Sequence, residues 1–157
     1  MGTETSKGLS LEALLQPEGR DAPLMCVRVP ARASHVGVAR RLVKLTLGTH
    51  GAASVAIENA VLIVSEMVTN VVRHNDWDLD PVVVLVMSRV GSVLRIEVLD
   101  SEPTIPKLRE LSEVSEAGRG LHIVQTLSSQ WGIYLLPPDG KVVWCELDAW
   151  PSEMAQV

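Results

Sequence analysis

The stretch IVSEMVTNVVRHND, residues 63–76, is strongly apolar, yet Glu66, Asn70 and His74 recur in it at four-residue steps. In a helix that spacing puts a carboxylate, an amide and an imidazole in one row on one face. Such groups are costly to bury without partners, so the row either faces solvent, is satisfied by a neighbouring loop, or lines a site. A second feature is AGRGL, residues 117–121, directly ahead of a helical pattern. Glycines at a helix start let backbone N–H groups approach an anion, and the helix dipole favours negative charge there. A third is Asp100, which closes the apolar run VLRIEVLD at the edge of a long polar connection. Taken singly, each has a plain reading: a polar helix face, a loop-to-helix turn, a strand-end turn residue.

The elements that must position them belong to a chain of 157 residues, 46% of them hydrophobic. That is the size of one domain with one core. Fourteen basic against 19 acidic residues leave a net charge of −5. An acidic domain without a basic stripe argues against direct nucleic-acid binding. Arg40, Arg41 and Lys44 read as the solvated face of a helix. Cys26 and Cys145 lie in apolar, strand-like contexts and read as two buried thiols rather than a disulfide. No pair of Cys or His has metal-site spacing. The first residues lack a basic start followed by a long apolar run, so no signal peptide is expected. Glu66 and Asn70 interrupt the most apolar run, so no membrane span is expected either. Cytoplasmic localisation is the resulting expectation.

Residues 1–22 are polar and turn-rich and read as a tail, with SLEALL a short helical piece in it. LMCVRVP (24–30) reads as a strand ended by Pro30. The next stretch reads as a helix capped by Ser34, with Val38, Leu42 and Leu45 as its apolar stripe and Gly48 and Gly51 at its stop. A second helix runs from near Ser54 to about His74. NDWDLDP is a polar loop. VVVLVMSRV and VLRIEVLD form a hairpin at Gly91-Ser92. A long Pro- and Glu-rich connection leads to a short helix opened by Gly118 and Gly120. WGIYLL, the turn PPDG and KVVWCELDA make a second hairpin. The order β-α-α-β-β-loop-α-β-β predicts an α+β two-layer sandwich, with helices on one face of a mixed, mostly antiparallel sheet. The domain is expected over 23–150, with 151–157 a second tail. Trp77, Trp131, Trp144 and Trp150 are candidates for core or interface.

In this order the features resemble the GHKL (Bergerat-fold) ATP-binding family, and most closely its anti-sigma-factor serine/threonine kinases and the stand-alone histidine kinase-like ATPases of actinobacteria. SEMVTNVVRH is similar to the family's N box, LRIEVLDSEPTIP to its first glycine-box region, AGRGLHIVQTLSSQWGI to the second, and GKVVWCEL to the closing strand. The resemblance covers about residues 24–148. It implies ATP and Mg²⁺ as cofactors. It assigns Asn70 to the metal, Glu66 to the general base acting on a serine hydroxyl, and Arg73 and His74 to the phosphate end. Asp100 would accept the adenine amino group. Gly118, Arg119 and Gly120 would cover the phosphates, Leu121 would also belong to the cofactor site, and residues 101–117 would form a lid.

The implied activity is that of an ATP-binding anti-sigma factor. It would sequester a sigma factor and phosphorylate a STAS-domain anti-sigma factor antagonist, as a homodimer without membrane or nucleic-acid contact. Two departures from the family pattern support an alternative. DSEPTIP lacks the two glycines usual after the aspartate, and Val142 stands where a threonine is usual. The alternative is a GHKL-fold binding module that holds a sigma factor or STAS partner without phosphorylating it.

Overall fold

The computed structural model describes residues 23–74, 81–101, 116–137 and 140–152. The expected N-terminal tail, the NDWDLDP loop with Trp77, most of the long connection and the last five residues lie outside these. The elements are β1 (Met25–Pro30), α1 (Ala33–Thr49), α2 (Ser54–His74), β2 (Val82–Val90), β3 (Val93–Asp100), α3 (Glu116–Leu127), β4 (Gln130–Leu136) and β5 (Gly140–Asp148). Their order is the one read from the sequence. The sheet order is β1-β2-β3-β5-β4, and each of these neighbouring pairs is antiparallel.

Alternation splits each strand between two faces. Val83, Leu85 and Met87 of β2, Leu94, Ile96 and Val98 of β3, and Cys145 and Leu147 of β5 join the helices in one core. Val84, Val86, Leu99, Tyr134, Leu136 and Val142 form a second cluster to which no described helix contributes. On that side Glu97 is buried. It pairs with Arg95 Nε at 3.3 Å and accepts a hydrogen bond from the Tyr134 hydroxyl at 3.2 Å. The Arg95 guanidinium lies over the Trp144 ring, 4.3 Å from its centroid.

Helix α2 is the centre of the helical layer. Ala56, Ala60, Ile63, Val64, Met67, Val68, Val71 and Val72 are its buried residues, three or four apart as one helical stripe requires. By length and hydropathy alone this helix could cross a membrane; in this fold its stripe is the core. The two-residue turn between β2 and β3 has Gly91 at φ 60°, the left-handed conformation such hairpins need.

Several local expectations are corrected. The stripe of α1 is Ala39, Val43 and Leu47, and Leu45 is 69% exposed. Each buried residue lies one or two positions after the expected one, a rotation of about 100° per residue, although the expected Leu42 also packs on the core, half-buried. Ala39 has too little apolar weight to show in a periodicity. The capping position of α1 is Arg32, with no side-chain cap; Ser34 lies inside the helix. Cys26 is exposed, whereas Cys145 is buried, and both are free thiols. Trp131 packs on the main core and Trp144 on the second cluster. Trp150 is buried, its Nε1 donating to the His50 carbonyl at 2.9 Å.

Candidate functional site

The polar row of α2 meets α3 and the facing ends of β3 and β5. Glu66 and Asn70 are half-buried, and Arg73 and His74 are exposed at the helix end. The register pairs Asp100 with Lys141 and Val98 with Val143. These side chains therefore point to the helical side of the sheet. A cavity opens there. Its apolar lining is Met67, Val71, Val98, Leu121, Ile133 and Val143, and its polar lining is Asn70, His74, Asp100 and Lys141.

Each polar group has an identifiable constraint. Asn70 Oδ1 is buried and has no hydrogen-bond partner among the described residues. A buried acceptor without a partner costs about 1–3 kcal/mol, which marks the position as made for something else. Asp100 Oδ2 lies 3.6 Å from Lys141 Nζ, with both side chains nearly buried. The strand carrying Lys141 starts at Gly140, whose φ is 125°. A Cβ there would stand 2.0 Å from the Asp100 carbonyl oxygen. Only glycine lets β5 lie this close to Asp100.

The glycines ahead of α3 behave differently from the expectation. The helix begins at Glu116 and ends at Leu127, so Gly118 and Gly120 lie inside it rather than opening it. A Cβ on Gly120 would stand 3.0 Å from Glu66 Oε2 and 3.1 Å from Asn70 Nδ2. The bare glycine is thus what allows α3 to close on the polar row. Leu121 is buried and lines the cavity, while Arg119 is exposed. The structure therefore brings together Glu66, Asn70, His74, Asp100, Gly120 and Leu121. Glu66 and Gly120 adjoin Asn70 without lining the cavity itself, Arg73 and Arg119 also lie off the lining, and Gly118 is within the helix. Of the expected lid, residues 102–115 lie outside the described residues, and Glu116 and Ala117 belong to α3.

Lys141 and Gly140 were not anticipated from the sequence. Their signal is only the pairing of β5 with β3, a contact between strands separated by α3 and β4.

The donor set suits one kind of metal. Among the described residues no three His, Cys, Asp or Glu side chains cluster to hold an ion. A single amide oxygen fits a hard cation that takes its remaining ligands from phosphate and water, as Mg²⁺ does.

A family model for the histidine kinase-like ATPase domain matches residues 29–146. The chain belongs to that family. A solved structure of the RsbU and RsbW domains of Rv1364c from Mycobacterium tuberculosis has a similar fold, with a TM-score of 0.57 at 20% identity. The match covers 83% of this chain and 34% of that one, so the present chain spans about a third of its length. No curated protein matches the chain.

Proposed function

We propose that the chain is an ATP-binding regulator that phosphorylates a serine or threonine on a STAS-type antagonist and sequesters a sigma factor. The observation that carries this reading is Asn70 Oδ1, buried without a partner among the described residues and one turn from Glu66, in a cavity that Asp100 also lines. Bound Mg²⁺, held by Asn70 Oδ1, would supply charge neutralisation to the phosphates. Glu66, one turn earlier on the same face, would take the proton of the attacking hydroxyl. The new bond joins that hydroxyl oxygen to the terminal phosphorus as the bond to the ADP oxygen breaks, and ADP leaves with the electron pair. Asp100 would accept the adenine amino hydrogen. The apolar lining would hold the ring and exclude water.

The partners rest on the sequence resemblance to anti-sigma-factor kinases, supported by the fold shared with the RsbU and RsbW domains of Rv1364c. Homodimeric assembly and a cytoplasmic location belong to the same proposal. The test is incubation with labelled ATP, Mg²⁺ and candidate STAS proteins, followed by phosphoserine detection. Transfer supports the reading. ATP binding without transfer to any partner favours the second reading, a binding module on the same fold. The missing glycines after Asp100, and Val142 in the closing strand, are the observations on that side.

A further inference from the structure

The proposed nucleotide reading leaves Lys141 without a role, although it lines the cavity beside Asp100. We propose that Lys141 reads the base jointly with Asp100: the ammonium donates to N1 of the adenine ring while the carboxylate accepts from the exocyclic amine. This rests on the reading of the site as an ATP site.

Four observations support it. Lys141 is only 5% exposed, and a buried lysine is rare unless it is paired or functional. Its cross-strand partner is Asp100, so both head groups are presented to the same side of the sheet, toward the cavity. Their separation of 3.6 Å exceeds the roughly 2.7–2.9 Å of a charge-assisted hydrogen bond. The pair sets an acceptor beside a donor. The edge of adenine offers the complement: a donor amine beside the acceptor N1. Around the pair stand Val98, Leu121, Ile133 and Val143, which suit the faces of a flat ring.

The cavity encloses about 40 Å³, room for a few waters and much less than a purine. Entry of the base therefore requires a lining group to move. Lys141 is the suitable one, since its charge rides on a flexible four-carbon stem. The ammonium then stays beside Asp100 and adds a contact to the base.

Calorimetric titration with Mg-ATP and with Mg-1-deaza-ATP, in which N1 is replaced by C–H, tests the assignment. The wild-type protein should bind ATP about tenfold more tightly than the deaza analogue, the scale of one hydrogen bond to a charged group. Lys141→Met should bind both nucleotides equally and ATP about tenfold more weakly than wild type. Lys141→Arg, which keeps the charge and the donors, should restore part of the preference. Should Lys141→Met fail to fold by thermal melt, the wild-type ratio and Lys141→Arg decide. Equal binding of the two nucleotides by wild type overturns the proposal, as does a preference that survives in Lys141→Met. Tighter ATP binding by Lys141→Met also overturns it, by showing that the lysine only blocks the site. Absence of ATP binding in wild type is a separate result, which removes the nucleotide reading itself and this proposal with it.

Discussion

Asn70 and Glu66 show how neighbouring side chains on one helix face can be given different work. Asn70 keeps a buried oxygen without a partner among the described residues, while Glu66 lies one turn earlier, half-buried and against Gly120. A general base needs reach to the proton and no role in holding the ligand. Glu66→Ala should therefore bind Mg-ATP within about threefold of wild type, below the scale of one lost hydrogen bond, and lose phosphate transfer; full transfer by that variant would sink the proposed base. Asp100 is placed otherwise, since its carboxylate is buried against Lys141. Asp100→Asn should weaken ATP binding by about 1–3 kcal/mol, the cost of a mispaired buried polar group. It should also lower the melting temperature, because the buried Lys141 ammonium loses its counter-charge. Unchanged affinity by calorimetry would reject the adenine role.

At the scale of elements, the decisive contact is α3 on α2 through Gly120. Alanine there gains about 1 kcal/mol of helix propensity. Its methyl would meet the ends of Glu66 and Asn70 at 3.0 and 3.1 Å, and each could yield by an off-rotamer shift of about 0.5–1.5 kcal/mol. The two shifts together cost about 1–3 kcal/mol, so the net loss is at most about 2 kcal/mol. Gly120→Ala should lower the melting temperature by no more than about 8 °C while lowering Mg-ATP affinity about tenfold, since it displaces the two side chains the site needs. A large stability loss with unchanged affinity would contradict this division. Gly140 is the opposite case, because the atom in the way is a backbone carbonyl that cannot rotate aside.

For the whole molecule, the two thiols report on integrity. Burial pushes the Cys145 thiol up to about 12, with Arg95 lowering it and Glu146 raising it to lesser degrees. Cys26 is exposed on the edge strand, and its thiol is raised by partial burial against the lowering effect of Arg28. The thiolate is the reactive form. A disulfide reagent at pH 8 should therefore modify Cys26 in the native protein, and Cys145 only after denaturant is added. Slow reaction of Cys145 under native conditions would measure opening of the core. The sign of the linkage is fixed: a thiol held above its ordinary 9.0 favours the folded state below that pH. Its contribution is lost as pH rises from 9 toward about 12. Loss of stability over that window should be shallower in Cys145→Ala; an identical slope would show that other groups dominate it.

The order of elements, both hairpins, the core stripe of α2 and the row of Glu66, Asn70 and His74 are legible in the chain without its fold. These follow from periodicity and turn chemistry, which act over a few residues and can be read along the chain. The same local pattern misplaces the stripe of α1 because Ala39 is small, and the start of α3 because glycine there signals close packing as readily as a helix start. Only the tertiary structure decided that Lys141 faces Asp100, that Gly140 must be bare against the Asp100 carbonyl, and that Gly120 lets α3 rest on Glu66 and Asn70. Each depends on β5 lying between β3 and β4, or on one helix docking on another. Such contacts join residues far apart in the chain, and they are settled by the shared core rather than by local pattern.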